Sequence, residues 1–426
     1  MKQTLTLSVM NRIAESYVKL ALAVGTHDAD YVDAYYGPEE WKSKAAAAAQ
    51  PLDAIKKRAV AALAQVKTLA TARMDEMLRL RHQYLARQLE SLIARLDILS
   101  GRKMTFDEES RALYDAVAPT HEEDYFKEFL QELGALLPGS GPVSERYEKY
   151  KKDFVIPKEK LDTVFLAATA ESRKRTKEHI ALPPTESFTV EYVTGKSWSG
   201  YNWYKGGTTS LIQINTDLPI FIDRAVDLSS HEGYPGHHVY NSLLEQRLVI
   251  ERKWVEFSVY ALYSPQSLIA EGTANYGIDM AFPQNERVKF EQEVLFPAAG
   301  LDPSKAEQYH RVHAVFQKLS YAGNEAARRY LNGEITREDA ARWLTEYALM
   351  ERERAQQRTR FFDAYRSYVI NYNVGKDLVR KYIESRPGAK TSDEKRWKEF
   401  EQILSSPRVP SGLRDQGPAT PPYQNQ

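Results

Sequence analysis

The run HEGYPGHH, from His231 to His238, places three histidines and a glutamate within eight residues. Imidazole nitrogens and carboxylate oxygens are the donors that hold zinc, and a carboxylate beside a ligand is positioned to take a proton from water. In the arrangement His-Glu-x-x-His, two histidines four apart leave one face of a helix and share an ion. Here the residue four after His231 is Pro235, and the candidates for a second ligand are His237 and His238. An ideal helix turns about 100° per residue, so a six-residue step carries His237 well off the face of His231. A seven-residue step brings His238 nearly back to that face but about 10 Å further along the axis. Neither suits zinc, which needs each nitrogen within about 2.1 Å.

The residues between them argue that the helix is irregular. Pro235 cannot donate to the His231 carbonyl and crowds it, while Gly236 adds backbone freedom. A turn widened between Glu232 and His237 absorbs extra residues and brings His237 back beside His231, and such bulges gather at functional sites. A third ligand is expected from a later helix. In SLIAEGTANYGIDM (267–280), Glu271 stands among apolar residues, and such an acid must be paired, exposed or bound to a cation. The competing reading is a helix start with incidental histidines, and for Glu271 an ordinary ion pair. His310 and His313, three apart in QYHRVHAVF, have no acidic partner at matching spacing and are not expected to form a second metal site.

Most of the chain that must position these groups has helical periodicity. Residues 6–24 form an amphipathic helix, Pro38 in YYGPEEW opens another, and Leu52 to Leu99 is helical almost throughout. Gly101 follows its end as a cap, Thr105 begins a capped helix, and PGSGP (138–142) is a loop. The character changes at residue 186. Two β-like runs, Ser187–Val193 and Thr209–Asn215, flank a segment rich in glycine and aromatic residues. Helical patterns then continue to about 404, and the Pro-, Gly- and Gln-rich residues 405–426 read as a disordered tail.

Composition bounds the class. Of 426 residues, 42% are hydrophobic and 27% charged, which supports a sizeable core in a globular chain. The 58 basic and 58 acidic residues balance, which argues against a general nucleic-acid binder. The absence of cysteine removes disulfides, thiolate metal sites and a cysteine nucleophile. Charged residues interrupt the N-terminal apolar pattern, so it does not read as a signal peptide, and no stretch approaches the ~20 apolar residues of a membrane span. A cytoplasmic location without membrane association is expected; oligomeric state is not legible.

HEGYPGHH followed 33 residues after His238 by EGTANY resembles the bacterial family catalogued as domain of unknown function 885, with its HExxPGHH and EGxAxY motifs. GEITREDAARWLTEY (333–347) and NYNVGKDLVRKYI (371–383) are similar to its later segments, so the likeness spans roughly 187–384. Two departures are Tyr240, where the family commonly has Gln, and Arg366-Ser-Tyr368, where it often has Pro-Gly-Gln. The family in turn looks like helical zinc peptidases in which the second ligand is the histidine after a glycine. The resemblance thus implies one Zn2+ held by His231, His237 and Glu271. Glu232 would be the general base, Tyr372 an oxyanion donor or else a packed core tyrosine, and His238 an oxyanion donor, a support behind a ligand or an alternative ligand. In peptidases of this design an edge strand pairs with an extended substrate, a role open to residues 209–215 with Gly206 and Gly207; the competing reading is a structural hairpin. Arg360 and Arg366 read as exposed helix charges before substrate contacts. The expected fold is mainly α, a large helical metallopeptidase-like architecture with a small antiparallel sheet next to the metal helix. Residues 1–185 would form an N-terminal helical subdomain and 186–404 a catalytic subdomain, with the cleft between them. The expected activity is hydrolysis of peptide bonds. The alternatives are hydrolysis of small non-peptide amides and a non-enzymatic metal- or ligand-binding role.

Overall fold

The computed structural model describes residues 2–414 other than Ala49, Arg73 and Ser197. It is 67% helical, and its described strands form two small sheets, so the fold is mainly α. Helix ends follow local chemistry. The Asp75 carboxylate accepts from the Leu78 N–H to start Glu76–Leu99. Thr105 and Glu108 cap Phe106–Tyr114 reciprocally. Helices Lys2–Gly25, Leu52–Lys67 and Glu76–Leu99 pack on one another through residues such as Tyr17, Ile55, Ala59, Leu85 and Leu89. Each buried leucine there contributes roughly 1.5–3 kcal/mol.

The N-terminal helices are joined to the rest of the chain by buried polar and backbone contacts. Arg81, fully buried, donates from Nε and an Nη to the two carboxylate oxygens of Glu256 at 2.5 and 2.9 Å. Strand β1 (Val32–Tyr35) pairs antiparallel with a strand 224 residues later, Val259–Ala261, with a bulge between Val32 and Ala34. A bulge re-aims the extra side chain, and here that residue is Asp33.

The other sheet has β2 (Ser187–Val193), β3 (Gly200–Gly206) and β4 (Thr209–Asn215) in the order β2-β4-β3. The two runs read from sequence are β2 and β4. The segment between them supplies a third strand, β3, antiparallel to β4, while β2 joins β4 in parallel. Gly206 and Gly207 take positive φ (81° and 61°) at the β3–β4 turn, which glycine allows without strain. Glu245 fixes the turn by accepting the N–H groups of Gly207 and Thr208 and the Tyr204 hydroxyl. Strand β4 is therefore central. It cannot be the edge that pairs with a substrate; the edge strand beside the metal segment is β3.

The apolar cores do not divide at residue 185. One runs from Met10 to Leu413 and mixes N-terminal helices with Pro265–Ala281 and Ile370–Glu384. A second gathers Phe154, Val164, Ile212, Val226, Phe296 and their neighbours. The expected disordered tail also begins too early. Residues 405–414 end in the short helix Pro410–Arg414, with Val409 and Leu413 buried and the Ser411 N–H bonded to Asp115. Apolar anchors together with the buried Arg408, which donates to the Tyr382 hydroxyl, dock this otherwise polar stretch. Residues 415–426 lie outside the described part. No described helix is long and apolar enough to cross a membrane.

Candidate metal centre

The helix that begins at Asp223 widens at Ser229–Gly233. The Tyr234 N–H bonds to the carbonyl five residues back, and the Gly236 N–H to the carbonyl six back, Ser230. Pro235, which has no N–H, lies between them after a cis peptide bond. A regular helix restarts at His237–Leu244. This detour brings the His237 ring beside that of His231, with centroids 4.7 Å apart and planes at 87°.

Glu271 approaches from Pro265–Ala281, a helix buried on nearly every face. Its neighbour Gly272 meets Gly375 of Ile370–Glu384 so closely that a Cβ on Gly272 would lie 2.5 Å from the Gly375 carbonyl group. Glycine on both sides of this crossing lets the two helices approach backbone to backbone. The same approach sets the turn Arg366–Val369 over Glu271, where the Tyr368 hydroxyl donates to Glu271 Oε1 at 2.8 Å. Arg366, held at φ 51°, is pinned in that turn by Glu109, which takes its Nε–H and both the N–H and hydroxyl of Ser367.

The donor atoms converge. His231 Nε2 is 3.2 Å from His237 Nε2 and 3.3 Å from Glu271 Oε2, and His237 Nε2 is 3.8 Å from Glu271 Oε1. Tetrahedral zinc with ligand distances near 2.05 Å sets its donors about 3.3 Å apart, so two of the three separations match and the third is wider. Glu271 Oε2 is buried, and its neighbour His231 Nε2 at 3.3 Å is not aligned for a good hydrogen bond, a costly state unless something else satisfies it. The electrostatics agree with a cation here. Glu232, Glu271 and Asp33 are close enough to influence one another, and none of them forms an ion pair with a described Lys or Arg. Burial presses the His237 imidazole down to about 4, so at neutral pH it carries a free lone pair. Burial also disfavours charge on His231, but Glu232 and Glu271 outweigh it and its pKa rises. Glu271 faces the same burial, which its two histidine neighbours and Tyr368 overcome, and its pKa falls. These residues thus fit a zinc-like ion.

Glu232 lies beside the cluster, its Oε1 4.0 Å from His231 Nε2, and burial pushes it up to about 7. Its backbone carbonyl accepts from Asn202 of β3, and Gly200 leaves no room for a side chain, since a Cβ there would sit 3.0 Å from Glu232 Oε1. Tyr372 lines the same cleft and is half-buried. His238 does not join the group. One step along a helix turns a side chain by about 100°, and His238 points into the sheet, with Nδ1 2.8 Å from Ser210 Oγ and Nε2 3.1 Å from Glu186. Both nitrogens are engaged in a fully buried site, which removes it as a ligand or oxyanion donor. It ties the restarted helix to β4.

The cleft has a volume of about 1260 Å³ and takes most of its lining from residues 196–380, with Ala29, Asp30, Val32, Asp33 and Tyr125 from the first half of the chain. Asp33, from the bulge, accepts the Tyr201 hydroxyl; burial, with the Glu271 and Glu232 charges, raises it to about 7. Sequence reading missed Asp33, Tyr201 and Tyr368. For Tyr368 a signal existed, since it lies one helical turn before Tyr372. A second group, Asp223, Asp227 and His313, has ligand atoms within 4.8 Å of one another. It brings His313 the acidic partners that spacing had not revealed. Its carboxylates already have partners, because Arg224 and Arg287 each hold an Asp227 oxygen and the Tyr309 hydroxyl donates to Asp223. His310 instead bonds Glu291.

No protein-family model matches the chain, and neither does any curated protein. Several solved structures are similar to it. One, from Colwellia psychrerythraea, is described as a putative lipoprotein; it is 15% identical, with a TM-score of 0.50 over 87% of this chain and 70% of that one. A second, of unknown function and also described as a putative lipoprotein, from Shewanella oneidensis, is 12% identical, with a TM-score of 0.48 over 88% and 75%. An M32 carboxypeptidase from Deinococcus radiodurans R1 is 12% identical, with a TM-score of 0.37 over 97% and 92%. The first likeness is one of fold, and the other two are weaker.

Proposed function

We propose that this chain is a zinc-dependent peptidase and a member of the domain of unknown function 885 family. The observation that carries the reading is the convergence of the His231, His237 and Glu271 donor atoms on one point, with the buried Glu232 beside them. A zinc ion held by these three residues would act as a Lewis acid and lower the pKa of bound water towards ~7. Glu232 takes the proton of the attacking water on its carboxylate and delivers it to the leaving nitrogen. The water oxygen bonds to the carbonyl carbon as the C–N bond breaks. The Tyr372 hydroxyl is the donor for the developing oxyanion. Strand β3 offers its outer edge to an extended substrate; no backbone hydrogen bond from another described strand covers that edge.

Metal analysis together with peptide-library cleavage tests the reading. Wild type is expected to carry about one zinc per chain and to cleave peptides. Glu232→Gln should keep the metal and lose at least a hundredfold in kcat, and His237→Ala should lose the metal. A metal-free wild type after purification in zinc-containing buffer, or a Glu232→Gln protein of unchanged activity, would sink the proposal. The glutamate also separates this reading from a purely structural metal, which needs no buried acid beside a ligand and is closed by four protein ligands.

A further inference from the structure

Two arginines in the cleft lack the acidic partners that most of the cations there have. Arg224 and Arg287 hold Asp227, Lys376 holds Asp279 at 2.8 Å, and Arg380 holds Asp377 at 2.6 Å. Arg354 and Arg358 line the same cleft but make no ion pair or hydrogen bond with any described residue, and the Nε of Arg358 is buried without a partner. They are four apart on the helix Arg352–Tyr365 and so share a face. Like charges in that relation oppose the helix, and a buried guanidinium N–H without an acceptor, as at Arg358 Nε, adds a desolvation cost. Burial depresses the pKa of both side chains. Aromatic faces offset part of this cost at Arg358 but offer its N–H groups no carboxylate or carbonyl acceptor, and departures of this kind concentrate where a ligand binds.

The position of Arg358 says which part of a ligand it meets. Its guanidinium lies over Phe361 at 4.3 Å and Tyr372 at 5.8 Å. Tyr372 packs on Tyr368 at 5.8 Å, and Tyr368 touches Glu271. The arginine is therefore two aromatic rings from the metal cluster, behind the Tyr372 side. A guanidinium fork matches a carboxylate in a bidentate pair, and aromatic walls suit an apolar side chain next to it. We propose that Arg358, with Arg354 one turn before it, binds the free α-carboxylate of the substrate, so that the chain removes residues from the C-terminal end of peptides. This rests on the hydrolytic reading above and adds to it the substrate class.

The test compares N-acetylated peptides of one sequence ending in a free acid or an amide. Wild type should favour the acid by at least tenfold in kcat/KM, as charge-assisted hydrogen bonds of this kind are worth about 10- to 100-fold. In Arg358→Met that ratio should collapse towards one, with Arg358→Lys keeping part of it. A wild type without the preference, or an Arg358→Met protein that retains it, overturns the proposal. So does an amidated peptide whose internal Asp or Glu restores full turnover, since the site would then read side chains. Calorimetric binding of the same pair to Glu232→Gln provides an arm independent of turnover. Should wild type hydrolyse no peptide, the peptidase reading fails by itself. The carboxylate site then stands if the acid binds at least tenfold tighter than the amide in an Arg358-dependent way, and falls if both bind equally or not at all. If Arg358→Met does not fold, Arg354→Met and Arg358→Lys decide the same ratio.

Discussion

Replacing Gly236 by alanine should empty the metal centre while leaving most of the fold in place. A Cβ at this position would lie 1.9 Å from the His231 carbonyl oxygen and 2.4 Å from that of Ser230. An ordinary carbon–oxygen contact is about 3.3 Å, so the chain must move by about 1.4 Å, and the obstacle is backbone that no rotamer change can clear. The group displaced belongs to His231 itself. Zinc–ligand distances tolerate about 0.2 Å and productive site geometry about 0.5 Å. The shift exceeds both. The overpacking itself costs roughly 1–3 kcal/mol, which a chain of this size can absorb with a lowered Tm. The assay is zinc per chain after dialysis against a moderate chelator, with circular dichroism and thermal melting alongside. Occupancy should fall from near one to below about 0.1 with helical content retained. Gly277→Ala is the control. Its Cβ would meet Pro235 Cγ at 3.1 Å and Phe400 Cζ at 3.4 Å, contacts with side chains that can yield, and occupancy should stay near wild type. A Gly236→Ala protein that holds zinc as wild type does would refute the idea that the widened turn requires glycine to build the site.

Three further outcomes follow from the same geometry. Gly272→Ala should lower stability by about 1–3 kcal/mol and weaken metal binding, because its Cβ would strike the Gly375 backbone and push Glu271 away; an unchanged urea midpoint would contradict this. Tyr368→Phe should fold normally but lose roughly 10- to 100-fold in zinc affinity, because Glu271 Oε1 loses the donor that orients it; competition with a fluorescent chelator measures the change. Glu256→Ala, far from the cleft, should destabilise by about 3–5 kcal/mol by stranding the fully buried Arg81, with metal content per folded chain unaffected; a drop in occupancy without a drop in stability would be the wrong result.

What the sequence disclosed and what it hid divide along the range of the interactions. The irregular turn was legible because Pro235 and Gly236 act on their own backbone within one helical turn. The helix caps at Asp75 and Thr105 are equally local, and β2 and β4 announced themselves by β-branched alternation. Strand β3 did not, since GYNWYKG mixes glycine, asparagine and aromatics without a period, and its pairing comes from the hairpin and from the Glu245 contacts about forty residues on. Strand order is a tertiary property, so nothing in TSLIQIN could tell a central strand from an edge. Asp33 reaches the cleft only because β1 pairs with Val259–Ala261 across more than two hundred residues. The unpaired state of Arg354 and Arg358 is likewise a statement about neighbours, and no reading of one helix contains it.

The competition between His237 and His238 shows how the two kinds of information meet. Neighbours on a helix diverge by about 100°, so once the helix restarts at His237 only one of the pair can face His231. The sequence states that a choice exists. It leaves the outcome to partners elsewhere, because what holds His238 away is Ser210 on β4 and Glu186 just before β2. Glu186 in turn takes the Tyr234 hydroxyl and the Arg173 guanidinium. The carboxylate thus grips the chain on both sides of Pro235 and Gly236, at Tyr234 and at His238. The widened turn is closed from outside by this clamp as much as it is opened from inside by the proline. The second histidine of the pair therefore fixes the first one's direction, and the adjacent imidazoles serve different ends: His237 faces Glu271 and the cleft, His238 anchors the turn to the sheet.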